Sequence, residues 1–379
     1  MTAEPSADDV ARVTSVLGAL GDGDWRAERL GAGVAGATAA LWRVRGEGWS
    51  AIAKTVTHSE RGSEHWRTSG DELDPMYWRR EALAYCTGFL ERVLDEEHTG
   101  LRAPRCLLCT EHDDGSVTTW IEDVLGLPGA QWPLLGYAAV SRAFGRMQGR
   151  LAAEGSVPDE PWLSRDWLRA YVERRDRHGA VLVDDARWRD VPAVVRDAVA
   201  LRDDFLRAWR ERNALLDSLD RVPRTLCHLD LHPDNVFGAT RRDGVGRVVV
   251  IDWAYAGIGA LGEDVGNLIP DAQLDFHVAP GDGPALAELC VGAYLFGLRE
   301  RGWDGDERLV RFAIAASAIV KYTWMLSHLL LLAVGEEDGG ASVRGVALDD
   351  VITRRLAVCA QLRDMAEDAF ALGGELGVL

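Results

Sequence analysis

Lysine is nearly missing from this chain: of its 42 lysine and arginine residues, only Lys54 and Lys321 are lysines. Basic charge is in deficit as well. The 60 acidic side chains leave a formal net charge of −18 at pH 7, which argues against nucleic acid, whose backbone demands basic patches. A cationic partner suits such a surface better. Cysteine is sparse: Cys86, Cys106, Cys109, Cys227, Cys290 and Cys359 are scattered through 379 residues, unlike a disulfide framework. Cys106-Leu-Leu-Cys109 has metal-ligand spacing, yet no second pair and no nearby histidine pair completes four ligands, so zinc is not expected. The stretch Met1 to Val10 is acidic and lacks the basic start and apolar run of a secretory signal, which makes the cytoplasm the expected location. Uninterrupted apolar runs are also absent. Phe312 to Val334 comes nearest, but Lys321 and His328 interrupt it and Arg308 and Arg311 lead into it, so it reads as a buried helix and not as a membrane span. There is no long polar low-complexity tract and no evident internal repeat.

What is present describes an ordinary globular protein, with 47% hydrophobic and 27% charged residues. Its length exceeds the usual single-core size, so two packed lobes with a cleft are expected. Ser6, with Asp9 three residues on, reads as a helix N-cap, and Val10, Val13 and Leu17 mark one apolar face that ends at Gly21-Asp-Gly-Asp24. Short strand-like pieces follow at Trp25 to Leu30, Ala39 to Arg45 and Ser50 to Val56, as in a sheet built from hairpins. Tyr77 to Leu94 has helical spacing, and two more strands fall around Arg105 to Thr110 and Val117 to Val124. Beyond Gly126-Leu-Pro-Gly129 the pattern turns helical, clearest over Tyr137 to Ala153, Trp162 to Arg175 and Val194 to Leu219. Strand character returns at Thr225 to Cys227 and Val248 to Ile251, and a break is expected at Glu336 to Gly340. The expected fold is α+β: residues 1–123 a small, mostly-β nucleotide-binding lobe, residues 124–379 a larger, mostly-α lobe with the catalytic loop and acceptor site.

The strongest chemical signal is Cys227-His-Leu-Asp230-Leu-His-Pro-Asp-Asn235, followed after a hairpin by Val248-Val-Val-Ile-Asp252-Trp253. Phosphoryl transfer needs a carboxylate at the acceptor hydroxyl and hard oxygen ligands for magnesium on the triphosphate. Asp230 supplies the first, and Asn235 and Asp252 supply the second. Singly, each is a common turn former. In this order, between two strand-like pieces, they read as catalytic, while His228 reads as orienting the loop. Gly31-Ala-Gly33-Val-Ala-Gly36 is a weak motif alone, but the strands after it fit a glycine-rich loop over phosphates better than a dinucleotide turn, which opens a helix. Lys54, on Ala51-Ile-Ala-Lys54, stands where a compact ammonium would reach the phosphates. Glu81 is its expected carboxylate partner, with Glu72 as fallback. Glu122 and Val124 would present backbone groups to adenine.

His228-x-Asp230-x4-Asn235 with Ile251-Asp252-Trp253 resembles the aminoglycoside phosphotransferase and choline kinase superfamily over roughly Glu28 to Gly266. That resemblance implies a two-lobed protein-kinase-like fold, ATP and Mg2+ as cofactors, and transfer to a hydroxyl of a small molecule. It implies Asp230 as catalytic base, with Asn235 and Asp252 binding metal. Gly257 to Asp264 also matches the family, with Asp264 read as structural. Leu229, where many members have Gly, and Ile52, two before Lys54, depart from the pattern without removing a catalytic atom. The short stretch after Asp252 favours a small-molecule acceptor over a protein. A peptide acceptor from a natural-product pathway is the alternative, and a nucleotide-binding pseudokinase the alternative of another class; the latter predicts loss of Asp230, Asn235, Asp252 or Lys54, and all are present. Seven acids and no Lys or Arg lie between Arg247 and Arg299, namely Asp252, Glu263, Asp264, Asp271, Asp275, Asp282 and Glu288, so a cationic acceptor such as an amino sugar is expected. The acceptor-binding residues and the oligomeric state are not legible.

Overall fold

The computed structural model describes residues 4–19, 23–31, 36–59, 67–238, 247–338, 343 and 345–379. They form two compact units, the first being Met1–Leu127 with Pro158–Arg165 and Phe237–Gly257, the second Pro128–Val157 with Asp166–Val236 and Ile258–Leu379.

Unit 1 is built on a five-stranded antiparallel sheet. Its order is β1 (Arg26–Arg29), β2 (Thr38–Gly46), β3 (Trp49–Val56), then strand Val117–Glu122 and strand Cys106–Glu111 at the edge. The two-residue period of β3 buries Ala51 and Ala53 on one face and turns Ile52 and Lys54 to the other. Helix α1 (Ala7–Leu17) covers the first face, where Val10 and Val13 join Trp42, Val44, Ala53 and Trp120 in one core cluster. The Ser6 hydroxyl caps α1 by accepting from the Asp9 amide at 3.1 Å. Gly18, at φ 67°, ends it three residues before the expected stop.

The helix expected over Tyr77 to Leu94 is two helices, α2 (Arg80–Cys86) and α3 (Phe89–Leu94), parted at Thr87 and Gly88, whose φ of 66° cannot continue a right-handed helix. A second correction concerns cysteine. Cys86, the last residue of α2, is disulfide-bonded to Cys109 on the edge strand, with Cα atoms 5.9 Å apart. Separation in sequence, 23 residues, gave no sign of this pairing, which the packing of α2 beside the sheet creates.

Unit 2 is helical. Helices Leu134–Glu154 and Gly283–Glu300 pack so closely that a Cβ on Gly145 would lie 2.3 Å from the Tyr294 carbonyl oxygen. Helix Glu307–Tyr322 lies against Glu263–Leu274 and Leu348–Leu376. The apolar stretch 307–333 passes a length-and-hydropathy test for a membrane span, but 83% of its most apolar window is buried inside the protein. It is broken at Thr323 and Trp324 into Glu307–Tyr322 and Met325–Ala333. The expected helix Trp162 to Arg175 starts only at Trp167, and that over Val194 to Leu219 divides into Ala198–Arg210 and Arg212–Leu219.

One polar cluster in unit 2 sets a pH dependence of stability. His178 Nε2 and His328 Nδ1 donate to the same Glu337 oxygen, at 3.2 and 2.6 Å, with Arg175, Arg177 and Arg355 around them. Burial, aided by Arg175 and His328 and outweighing the Glu337 charge, pushes the His178 imidazole down to about 4. The unfolded chain therefore holds more protons between that value and the ordinary histidine range. Stability from this group is complete above pH 6.5 and declines as pH falls toward 4, with a slope approaching about 1.4 kcal/mol per pH unit. Denaturation free energies at pH 7 and pH 5 should differ by less in His178→Gln than in the parent. Equal differences would remove His178 as the cause.

Candidate active site

Within unit 1, Lys54 points from β3 toward α2, and its Nζ lies 2.6 Å from Glu81 Oε2 and 2.9 Å from Asp252 Oδ1. Burial alone would lower the Lys54 pKa, but the Asp252 and Glu81 charges outweigh it and hold the ammonium protonated above its ordinary value. Burial and the neighbouring Asp252 push the Glu81 carboxyl up to about 7 against the pull of Lys54. The recess holding this triad is also lined by Gly36, Ala37, Thr38 and Tyr255. Asp252 has a left-handed backbone, φ 61°, a conformation that Asp tolerates better than most residues, and its side chain is 39% exposed. Gly31 lies two residues past the end of β1, Gly36 lines the recess, and Gly33 lies outside the described residues. Glu122 gives its side chain to Arg102 at 2.6 Å and its amide N–H to the Arg105 carbonyl. Val124 sits two residues past that strand end.

Sequence reasoning missed Arg80. Its guanidinium is fully buried beside Glu81 and donates to four backbone carbonyls: Trp162 at 2.7 Å, Pro75 and Asp74 at 2.8 Å, and Ala254 at 3.3 Å. Burial lowers its pKa to about 10, which leaves it charged at neutral pH. Nothing in Trp78-Arg-Arg-Glu81 separates it from Arg79, which pairs with Glu111 at the surface.

Within unit 2, the chain leaves the buried strand Arg224–Cys227 and turns through His228 to Asn235. Asp264, fully buried near the start of helix Glu263–Leu274, accepts from the His228 amide at 3.1 Å, the Leu229 amide at 2.9 Å and Gln148 Nε2 at 3.0 Å. The Asp230 amide donates to His228 Nδ1 at 3.3 Å, and Asn235 Nδ2 donates to the Asp230 carbonyl at 3.0 Å, leaving Asn235 Oδ1 for another partner. Asn267 Nδ2 holds the Leu231 carbonyl at 2.8 Å and Asp271 at 3.0 Å. His232 Nε2 lies 3.8 Å from Asp230 Oδ2. Burial would lower its pKa, but Asp230, Asp271, Asp275 and Asp234 raise it. Gln148 and Asn267 were also missed, since only the fold brings them to the loop, through Asp264 and the Leu231 carbonyl; His232 stood inside the motif without a sign of its role.

Leu229 explains why glycine is common at its position: its φ is 66°. The left-handed backbone costs a branched L-residue about 1–2 kcal/mol, whereas removing a buried leucine side chain costs about 2–5 kcal/mol. Since Leu229 is 3% exposed, burial wins. Leu229→Gly should lower stability by about 1–3 kcal/mol in chemical denaturation, and a stabilised variant would contradict this balance.

The acidic stretch is corrected in part. Glu263 and Asp264 turn inward, Glu263 accepting from the Ala260 amide at 2.9 Å, so neither faces a ligand. Opposite Asp271 in charge stands Lys321, whose Nζ lies 4.9 Å from the Trp167 ring, 5.4 Å from Tyr322 and 5.5 Å from Tyr171.

The α+β fold is protein-kinase-like, as in the phosphotransferase structures it resembles. The chain belongs to the phosphotransferase enzyme family, whose model matches residues 77–304. No curated protein matches its sequence. Among solved structures it is similar to an aminoglycoside phosphotransferase from Alicyclobacillus acidocaldarius, at 16% identity over 90% of this chain and 92% of that one, with TM-score 0.53. Amicoumacin kinase hAmiN, in complex with AMP-PNP and Ca2+, shares 16% identity over 90% and 88%, with TM-score 0.50. A microcompartment-associated aminopropanol kinase shares 15% over 93% and 95%, also at 0.50.

Proposed function

We propose that this phosphotransferase moves the γ-phosphoryl group of ATP to a hydroxyl of a small cationic acceptor, with Asp230 as the base. The observation that carries the reading is the Lys54 ammonium held between Glu81 and Asp252 at 2.6 and 2.9 Å, because a fixed point charge suits phosphate oxygens and has no purpose in a binding module without them. The donors also suit Mg2+: Asp252 offers an exposed carboxylate, and Asn235 keeps its amide oxygen open. ATP with Mg2+ supplies the phosphoryl group and neutralises its charge. The protein's own residues do the rest. Lys54 positions phosphate oxygens, and Gly36 lines the same recess. With the Glu122 N–H committed to Arg105, the Val124 N–H is the donor left for adenine. Asp230 orients the acceptor hydroxyl and takes its proton at a carboxylate oxygen.

For the acceptor, Asp234, Asp271 and Asp275 bear on His232 beside Asp230, a concentration of negative charge that attracts a cation. Lys321 and its three aromatic rings mark one edge of this charge. The test is mass spectrometry of a panel of amino sugars, amino alcohols, basic peptides and neutral or anionic sugars after incubation with ATP and Mg2+. One added phosphate on a cation is expected, with kcat/KM falling as salt screens the attraction over about 10 Å at 0.1 M. A neutral or anionic best acceptor overturns the cationic reading and leaves the phosphotransferase in place.

A further inference from the structure

Strand Cys106–Glu111 should place Cys106 and Cys109 on opposite faces, because residues three apart in a two-residue period point apart. They do not. The register against Val117–Glu122 shifts between Cys106 and Leu108, and this bulge counts one extra residue, turning both sulfurs to one side. Their Sγ atoms lie 3.5 Å apart, and Cys86 arrives from the end of α2, so that all three sulfurs fall within 4.8 Å of one another. Cys86 is exposed and the other two are half-buried, which leaves the cluster open to solvent. Cys106 also lines a cavity of about 280 Å³ that contains Glu91 and Arg105.

We infer that in the reduced protein Cys86, Cys106 and Cys109 bind one thiophilic cation, Zn2+ or Cu+, as three thiolates. A bulge that collects three sulfurs on one side makes the site preferred by soft d10 ions, with a fourth position open to water for Zn2+ and three ligands sufficient for Cu+. The cation and the Cys86–Cys109 bond exclude each other, since both use the same sulfurs. Opening that bond takes two electrons and two protons, both from two thiols that become a disulfide, or the electrons from a phosphine and the protons from the water whose oxygen it takes up as phosphine oxide. The three thiols then release their protons as the cation binds. Because thiols must give up their protons to bind the cation, metal uptake strengthens as pH rises. Bound metal would cross-link the end of α2 to the sheet edge without involving ATP.

The full-length protein, reduced with a phosphine in the absence of oxygen, would be titrated with Co2+ and separately with Cu+. One equivalent of Co2+ should give the ultraviolet charge-transfer absorption of cobalt–thiolate bonds, bleached by Zn2+, and should raise the thermal midpoint. Cys106→Ser keeps the disulfide partners and should weaken binding at least about tenfold; the unreduced protein should give no band. Uptake of Cu+ with no response to Co2+ or Zn2+ would assign the site to the monovalent ion. Absence of a band with Co2+ together with no stoichiometric Cu+ uptake, or a band that persists at full strength in Cys106→Ser, overturns the inference.

Discussion

Asp230→Asn is expected to bind ATP nearly as the parent does while kcat falls on the order of a hundredfold or more. The variant keeps the shape of the side chain and removes only its ability to take a proton. The surrounding loop should not move, because its backbone is held by Asp264 through the His228 and Leu229 amides and by Asn235 through the Asp230 carbonyl, and none of these bonds uses the Asp230 side chain. Nucleotide affinity by calorimetry and kcat by product formation, measured on the same preparation, make the check. A variant retaining more than about a tenth of the parent kcat would remove Asp230 as the base.

Lys54→Ala and Asp252→Asn should each lower kcat/KM for ATP by about 10²–10³, the scale for losing one preorganised charge contact, but they should respond differently to Mg2+. Asp252→Asn weakens a metal ligand, so raising Mg2+ recovers part of the rate. Lys54→Ala removes the ammonium that would contact the phosphates and leaves the Glu81 and Asp252 carboxylates without the cation between them, a loss that more Mg2+ at Asp252 does not replace. Lys54→Arg should also be impaired, since a planar guanidinium does not fit where the Nζ is held 2.6 Å from Glu81. Parallel Mg2+ responses in the two variants would contradict these roles.

The α+β fold was legible because its elements are short-range patterns. The N-cap at Ser6, the hairpin strands and the apolar face of α1 each depend on neighbours a few residues apart. The candidate residues stood out for another reason: Asp230 and Asn235 share one loop, and Lys54 is one of two lysines in the chain. Composition could not supply direction. Seven acids in one stretch suggested one negative surface, yet helix Glu263–Leu274 begins where Glu263 and Asp264 must cap backbone amides inside the protein. Nor does spacing reveal a bulge, so Cys106 and Cys109 carried no sign that they share a face with Cys86. The break at Gly88 was visible as a glycine, but the helical spacing of Leu83, Leu90 and Leu94 runs across it.

Arg80 has a bearing on control. Regulated kinases idle by swinging the glutamate-bearing helix away from the lysine. Here the residue before that glutamate is tied to carbonyls of Asp74, Pro75, Trp162 and Ala254, from three separate segments of the chain. Swinging α2 outward would strand a guanidinium and four carbonyls away from their partners, at a cost of several kcal/mol. A helix so moored has no resting position to visit. The Lys54–Glu81 contact is thereby held in place by the fold itself and waits on no further event.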